Sequence, residues 1–109
     1  MIHLRDKDRK EICKIIENSF NIPVEVWAYG SRVNGDSHDG SDLDLVIRTA
    51  DIKPVDWKVF LDFEEQIRNS NIPILVEPKD WARIPDSFHK NILEKHEVLF
   101  SNLKQYKTL

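Results

Sequence analysis

A glycine–serine pair and two aspartates are the residues of this chain whose types and spacing could do chemistry. Ten residues separate Ser31 of the Gly30-Ser31 pair from Asp42, and Asp44 follows after one more residue. Successive side chains of a β-strand point to opposite faces, so a strand through Asp42 and Asp44 puts both carboxylates on one face. Two neighbouring carboxylates repel each other unless a cation lies between them, and Mg²⁺ is the oxygen-seeking ion that suits such a pair. The spacing therefore predicts a divalent metal site.

The composition excludes several classes of protein. The length of 109 residues fits one domain over residues 1–109, and 40% hydrophobic with 32% charged residues is ordinary for a globular protein. No apolar run is long enough to span a bilayer, and the first residues carry no secretory signal. The single cysteine, Cys13, rules out an intrachain disulfide framework, so the cytoplasm is the expected compartment. A net charge of −3 gives no general attraction to RNA or DNA, which are not the favoured partners.

Hydrophobic periodicity predicts the elements that position the candidate residues. Apolar residues at helical spacing predict an amphipathic helix between Asp6 and Phe20. An alternating run rich in β-branched and aromatic residues predicts a first strand over 24–29, which ends at Gly30. Asn, Gly, Asp and Ser residues predict a loop, and a second strand follows from about Asp42 to Arg48. We expect these two strands to pair, with the loop crossing the site.

The second half of the chain supplies the remaining elements. A helix is expected from Asp56, as its N-cap, to about Asn69. A short third strand over 74–76 is expected to end at Glu77 and Pro78. A last helix begins near Asp86 or Ser87 as N-cap, an apolar run follows over 98–100, and the polar end over 101–109 is expected to be frayed. The order α-β-loop-β-α-β-α predicts an α+β (α/β-like) domain, a small mixed sheet with helices on one face.

Two phrases of the sequence, VWAYGSRVNGDSHDGSDLDLVI and VEPKDW, resemble the minimal nucleotidyltransferases of the DNA polymerase β superfamily. The resemblance covers nearly the whole chain and implies the palm-like fold of that superfamily. It implies transfer of a nucleoside monophosphate from an NTP, most simply AMP from ATP, to a hydroxyl group. The smallest members work with a separately encoded helical HEPN-type protein, often as the antitoxin of a toxin pair, and modify a tyrosine of that partner. A hetero-oligomer with such a partner is therefore the implied assembly.

The resemblance also implies a role for each motif residue, and the chemistry of each residue suits that role. Asp42 and Asp44 would bind two Mg²⁺ ions. Gly30 leaves the backbone free to approach a phosphate, the Ser31 hydroxyl would hold the β- or γ-phosphate, and Arg32 would add charge there. Where the family usually has a third aspartate, this chain has Glu77, which offers the same charge on a stem one methylene longer. Glu77 would bind the metal or accept the proton of the acceptor hydroxyl.

Each of these interpretations has a plainer alternative. The aspartate pair would otherwise be a solvated strand face, Ser31 a turn or N-cap residue, and Glu77 an ordinary surface acid. Arg32 would otherwise pair with Asp36 or Asp39. The protein would then be a catalytically weak nucleotide-binding regulator or a plain protein-interaction module. The three tryptophans are interpreted as packing residues, Cys13 as a buried structural thiol, and the histidines show no spacing typical of a zinc site.

Overall fold

The computed structural model describes residues 2–103, and Met1 and residues 104–109 lie outside the described part. The helices of this part are α1 (Asp6–Ser19), α2 (Ser31–Asn34), α3 (Trp57–Arg68) and α4 (Asp86–Glu94), with a 3₁₀ turn over Trp81–Arg83. The strands are β1 (Val24–Tyr29), β2 (Leu43–Thr49), β3 (Val76–Asp80) and β4 (Glu97–Ser101). None of the helices within residues 2–103 has the length and hydropathy needed to cross a bilayer. The predicted single domain over residues 1–109 stays a prediction.

The strands form one mixed sheet in the order β3-β2-β1-β4. β1 pairs antiparallel with both β2 and β4, and β2 pairs parallel with β3. Parallel strands need a crossover connection, which α3 provides between β2 and β3. As a result, the end of β1 and the beginnings of β2 and β3 meet at one end of the sheet. The residues with candidate chemistry therefore lie together at this end.

The two faces of the sheet bury different clusters. On one face, strand residues such as Val26 and Leu45 pack with Ile16 of α1 and Phe63 of α3. On the other face, Trp27 and Val46 pack with the 3₁₀ turn and α4, through the following side chains: Trp81 and Ile92. The predicted α+β class with a small mixed sheet is confirmed. The placement of all helices on one face is correct for α1 and α3 but wrong for α4, whose Ile92 needs an apolar surface and finds it on the opposite face.

Most predicted boundaries agree with the structure within two residues. The Asp56 side chain caps α3 by accepting hydrogen bonds from the backbone N–H groups of Lys58 and Val59, at 2.9 and 3.3 Å. The predicted side-chain cap of α4 is wrong, because Pro85 occupies the N-cap position and no side chain caps that helix. Proline is favourable beside a helix start, where an N–H group would have no partner within the helix.

The third strand differs from its prediction. It begins at Val76 and runs through Pro78 to Asp80, so Glu77 lies near its beginning rather than its end. β3 tolerates proline because it is an edge strand, where one side of the backbone needs no partner. The apolar run after α4 was not predicted as a strand, but it forms β4 on the free side of β1.

The beginning of the predicted frayed tail is also ordered. Ser101 belongs to β4, and the Asn102 side-chain oxygen accepts a hydrogen bond from the Val24 backbone N–H at 2.7 Å. The rest of the predicted frayed end, residues 104–109, lies outside the described residues. The first residues of the predicted frayed segment therefore stabilise the edge of the sheet at β4 and β1.

A buried carboxylate fastens β3 to the segment that precedes α3. Asp80 is 4% exposed, and its Oδ2 accepts hydrogen bonds from the Val55 N–H at 2.8 Å and from Arg83 Nε at 3.2 Å. Its Oδ1 accepts a third from the Ala82 N–H at 3.2 Å. Burying a charge is unfavourable unless it is paired and hydrogen-bonded, and here both conditions are met. Asp80 therefore sets where β3 ends relative to α3.

We expect Asp80→Ala to lower the free energy of unfolding by about 1–3 kcal/mol, because it leaves the N–H of buried Val55 without its acceptor and also removes the bonds from the half-buried Ala82 and the exposed Arg83. The free energy would be measured by urea unfolding. Asp62→Ala, on the exposed side of α3, is the matched control and should change it by less than about 0.5 kcal/mol. Equal losses in the two variants would contradict the role given to Asp80.

Candidate active site

Three polar side chains from three strands form a row across the sheet. Asp44 of β2 lies directly between Tyr29 of β1 and Glu77 of β3, as the register of both strand pairs shows. Residues paired in this way share a face, and Asp44 lies on the face opposite the larger core. The structure therefore brings Glu77 beside Asp44, although the two are far apart in the sequence. Asp42 precedes the first residue of β2 and is exposed.

The carboxylate groups of Asp42, Asp44 and Glu77 act on one another. The pKa of Asp44 is raised, first by burial and then by the negative charges of Glu77 and Asp42, while the positive charge of Lys79 opposes the rise. Burial and the two negative charges disfavour the ionised form of Asp44, whereas the positive charge of Lys79 favours it. A cation bound between the carboxylates would relieve their repulsion. This mutual repulsion is the electrostatic arrangement that the paired aspartates predicted.

The oxygen donors fit a hard divalent ion such as Mg²⁺. Within residues 2–103, no three side chains of the types His, Cys, Asp or Glu converge closely enough to hold a metal by themselves. Mg²⁺ does not require such a cage, because it usually keeps several waters and is bound through one or two carboxylates together with substrate phosphates. The residues suited to hold it are Asp42 and Asp44, with Glu77 adjacent to Asp44.

Gly30 brings the turn between β1 and α2 against Asp44. Its backbone has φ +80° and ψ −155°, a conformation open essentially to glycine alone. A Cβ atom at this position would lie 2.6 Å from Oδ2 of Asp44, which is far inside van der Waals contact. The glycine therefore has a steric role beyond approach to a phosphate: it lets β1 turn into α2 directly behind the carboxylate.

Ser31 is the first residue of α2, and Gly30 occupies the N-cap position, so Ser31 does not cap the helix. The backbone N–H groups of Val33 and Asn34 already donate to the Gly30 carbonyl, at 3.0 and 2.9 Å. Within the described residues, the Ser31 hydroxyl makes no hydrogen bond. It is half-buried and lies next to Gly30, and hence beside Asp44. This position suits the predicted contact with a phosphate, which stays a prediction.

Arg32 has a different role from the predicted one. It is 4% exposed, and its guanidinium donates hydrogen bonds to four backbone carbonyls. The partners and distances are Ser41 at 2.9 Å, His3 at 2.7 Å, Asp39 at 3.0 Å and His38 at 3.4 Å. The structure thus brings Arg32 neither to the open site nor into a pair with the Asp36 or Asp39 carboxylate. It holds the loop that leads to Asp42, because that loop has no regular structure to satisfy its own carbonyls.

Tyr29 is the site residue that the sequence interpretation missed. Its pKa is raised to about 12, first by burial and then by the charges of Asp44 and Glu77. The phenol is protonated at neutral pH and is a hydrogen-bond donor on the residue paired with Asp44. The available signal was its position directly before Gly30 at the end of a strand that pairs with the strand of Asp44.

The remaining side chains singled out in the sequence pack as expected, with one exception. Trp27 and Trp81 are each 6% exposed and meet edge to face, with ring centroids 5.7 Å apart. Trp57 is 57% exposed, so its prediction as a packing residue is wrong, and its ring lies under the Arg83 guanidinium at 4.8 Å. The Cys13 thiol is half-buried, and burial raises its pKa, as expected for a structural thiol rather than a nucleophile.

Comparison with protein families agrees with this fold. Residues 10–105 match the family described as "Polymerase beta, Nucleotidyltransferase". This match spans most of the chain, so the protein belongs to the polymerase β-type nucleotidyltransferase family. The resemblance inferred from the two sequence phrases is confirmed, and so is the predicted fold.

One relative of known description matches part of the chain. A protein of Haemophilus influenzae described as a probable protein adenylyltransferase, MntA, is 35% identical over 74 residues. That match spans 68% of this chain and 63% of the relative, so the chain covers just under two thirds of the relative's length.

Solved structures share the fold at low sequence identity. A toxin–antitoxin structure with AMP-PNP matches with a TM-score of 0.70 and 15% identity, over 89% of this chain and 76% of that chain. A structure of a tri-AMPylated Shewanella oneidensis HEPN toxin in complex with an MNT antitoxin matches with a TM-score of 0.68 and 12% identity, over 95% and 78%. At these identities the likeness shows the shared fold and nothing more.

We expect Gly30→Ala to weaken Mg²⁺-ATP binding strongly, because the added methyl group displaces the Asp44 carboxylate. It should also lower the free energy of unfolding by about 1–3 kcal/mol through backbone strain. Gly35→Ala is the matched control: Gly35 has φ +88°, but a Cβ atom there would meet nothing within 4 Å. The control should show the backbone cost without the loss of binding, as measured by urea unfolding and calorimetric titration. Loss of binding in both variants would reject the steric role of Gly30.

We expect Asp44→Asn to raise the melting temperature of the metal-free protein near neutral pH. Burial and neighbouring charges raise the folded-state pKa of Asp44 above its unfolded value, so its ionised form costs stability above that folded pKa. The folded state binds more protons in this window, so the advantage of the variant should shrink as the pH falls toward about 4.

The measurement is thermal unfolding in chelator across this pH range, with Asp62→Asn as the exposed control. Added Mg²⁺ should then stabilise the wild type but not Asp44→Asn, since the variant lacks one of the carboxylates that would bind the ion. A wild type that melts at the same temperature as Asp44→Asn at every pH would contradict this account of the site.

Proposed function

We propose that this protein is a Mg²⁺-dependent nucleotidyltransferase that transfers AMP from ATP to a hydroxyl group of a partner protein, as the antitoxin of a toxin pair. The observation that carries the proposal is the contact geometry at Gly30: the turn after β1 lies so close to Asp44 that a Cβ atom would be 2.6 Å from its carboxylate oxygen. A phosphate beside Ser31 and a cation on Asp44 would then be neighbours, as transfer from a nucleoside triphosphate requires.

The residues of the site divide the work of such a transfer. Ser31 and the neighbouring backbone N–H groups would hold the phosphates of ATP, and Asp42 and Asp44 would hold Mg²⁺. When bound, the ion would lower the pKa of the acceptor hydroxyl and offset the negative charge of the phosphates. The acceptor oxygen forms a bond to the α-phosphorus, the bond from that phosphorus to the bridging oxygen breaks, and pyrophosphate leaves. Glu77 would accept the proton of the acceptor hydroxyl.

Glu77 in place of the usual aspartate suits this proton transfer. The strand register puts it directly beside Asp44, and its side chain is exposed where an acceptor would approach. The longer stem allows its carboxylate to reach past Asp44 toward the acceptor, although a displacement of about 1 Å costs about a hundredfold in rate where geometry is critical. We therefore assign Glu77 as the general base or as a further metal ligand.

The partner is inferred from the relatives. The similar solved structures are described as toxin–antitoxin complexes, one of them with an AMPylated HEPN toxin and its MNT antitoxin. A helical HEPN-type protein that supplies a hydroxyl acceptor, in a hetero-oligomer with this chain, is the corresponding proposal here. The net charge of −3 does not favour a nucleic-acid acceptor. The cytoplasmic location stays a prediction.

A second candidate function is a nucleotide-binding regulator with little or no catalysis. One observation favours it: within residues 2–103, no three potential metal ligands converge by themselves. If Glu77 cannot join Asp42 and Asp44 around a metal, ATP would bind through Ser31 and the two aspartates without transfer. Rescue of transfer by Glu77→Asp would identify this situation.

The test is label transfer from [α-³²P]ATP with Mg²⁺ to the partner protein in an extract of the native host. The wild type should label a protein band, and the Asp42→Asn, Asp44→Asn double variant should not. The Asp36→Asn, Asp39→Asn double variant is the matched control, because it also removes two negative charges, but from the neighbouring loop. Label from [γ-³²P]ATP should not transfer, since pyrophosphate leaves. Wild-type labelling by the Asp42, Asp44 variant would reject the proposal.

A further inference from the structure

The face of the sheet that carries the carboxylate row also carries a lysine to which the proposed reaction gives no role. Lys79 lies on β3 two residues after Glu77, and its backbone partner is Val46, two residues after Asp44. Residues two apart on a strand share a face, so Lys79 shares the face of Glu77 and Asp44. Lys79 is thus a diagonal neighbour of Asp44 across the β2–β3 pair.

The positive charge of Lys79 acts on Asp44, but Lys79 forms no ion pair with the carboxylates among the described residues. Its field is the one that opposes the effect of the neighbouring carboxylates on Asp44. Lys79 is half-buried on an edge strand, and its ammonium forms no hydrogen bond or ion pair with any other residue in the range 2–103. A lysine beside three carboxylates that pairs with none of them keeps all three of its donors for a ligand.

Two other cations of the region are already occupied. Arg32 is buried and donates to backbone carbonyls of the loop. Arg48, further along β2 on the same face, stacks over Trp27 at 4.2 Å and over Trp81 at 4.5 Å. Its guanidinium is therefore held against the aromatic cluster, away from the end of the sheet where the carboxylates lie. Of these three cations, Lys79 is the one that faces the site without a partner.

A triphosphate bound at this site would be stabilised by a cation on the β3 side. The triphosphate would enter a site that already holds the charges of Asp42, Asp44 and Glu77, and bound Mg²⁺ offsets only part of the total. Ser31 would contact the phosphates from the β1 end. On the β3 side, the residues of the strand that share the face of Asp44 are Glu77 and Lys79, so Lys79 is the cation that this strand contributes. Lysine is a common phosphate-binding residue and acts there as a compact point charge.

We propose that Lys79 is a nucleotide-binding residue whose ammonium contacts the triphosphate of ATP from the β3 side, opposite Ser31. This inference rests on the proposed function for the identity of the nucleotide. The contact would stabilise both the bound triphosphate and the charge that grows on the leaving pyrophosphate. The sequence analysis predicted that Arg32 supplies the positive charge at the phosphates. The inference assigns this role to Lys79 instead.

The alternative is that Lys79 acts only on the carboxylates, and the two roles predict effects of opposite sign. If Lys79 merely opposes the carboxylate charges, its removal should improve metal binding and nucleotide binding together. If it contacts the triphosphate, its removal should improve binding of Mg²⁺ alone but weaken binding of the nucleotide. Measuring both affinities in the same variant therefore separates a direct contact from an indirect one.

The experiment is calorimetric titration of the full chain with α,β-methylene-ATP in Mg²⁺, and with Mg²⁺ alone. Lys79→Met should raise the Kd for the analogue about 10- to 100-fold, the range expected for a lost charge-assisted hydrogen bond. Lys79→Arg, which keeps the charge, should recover most of the affinity. Lys90→Met, an exposed lysine on α4, should bind like the wild type. Urea unfolding midpoints would verify that every variant is folded.

An unchanged or lower Kd for the analogue in Lys79→Met would overturn the inference, as would equal losses in Lys79→Met and Lys90→Met. The analogue cannot be cleaved between its α- and β-phosphorus, so its binding is independent of transfer. A wild type that binds the analogue but labels no partner would contradict the proposed transfer and leave the role of Lys79 intact. A Lys79→Met variant that binds like a wild type active in transfer would contradict only the role of Lys79.

Discussion

The close approach of Gly30 to the Asp44 carboxylate is the constraint on which the rest of the site depends. A glycine at φ +80° lets the chain leave β1, turn and begin α2 in the space that a side chain would otherwise fill against Asp44. The antiparallel register of β1 with β2 fixes this approach from below, since Tyr29 and Asp44 are direct partners. Any shift of that register by one residue would move Asp44 to the opposite face of the sheet. The steric fit and the register therefore enforce each other.

The topology of the sheet adds the second carboxylate at a cost. Because β3 runs parallel to β2, its second residue, Glu77, lies beside the second residue of β2, Asp44. Like charges placed directly opposite each other across two strands destabilise the sheet. The pKa of Asp44 is raised first by burial, and the negative charge of Glu77 raises it further. Neither Asp44 nor Glu77 belongs to the two hydrophobic clusters, and Glu77 is exposed. An arrangement that costs stability and serves no packing purpose is typical of a functional site.

The sequence predicted what depends on local pattern and missed what depends on distant contacts. The helix over α1, the strand β1 and the capped start of α3 follow from periodicity and from Asp56, and the structure contains them. β4 escaped prediction because its short run lies directly after a helix, and only its pairing with β1 makes it a strand. Arg32 was misassigned because an arginine beside a glycine–serine pair looks like a phosphate ligand. Its carbonyl partners belong to loop residues and to His3, which no spacing rule connects to it.

Gly30, Ser31 and Arg32 are neighbours in the sequence but have separate roles, and the fold determines the role of each residue. Gly30 gives space to Asp44, Ser31 is left with a free hydroxyl among the described residues, and Arg32 holds the loop to Asp42 from the inside. A fold shared at low sequence identity does not by itself transfer function, because function belongs to the site and not to the architecture. A buried arginine at the loop also changes where phosphate-binding charge must come from. Because Arg32 donates its hydrogen bonds to backbone carbonyls, the positive charge for a phosphate would come from Lys79 on β3, the strand that also carries Glu77.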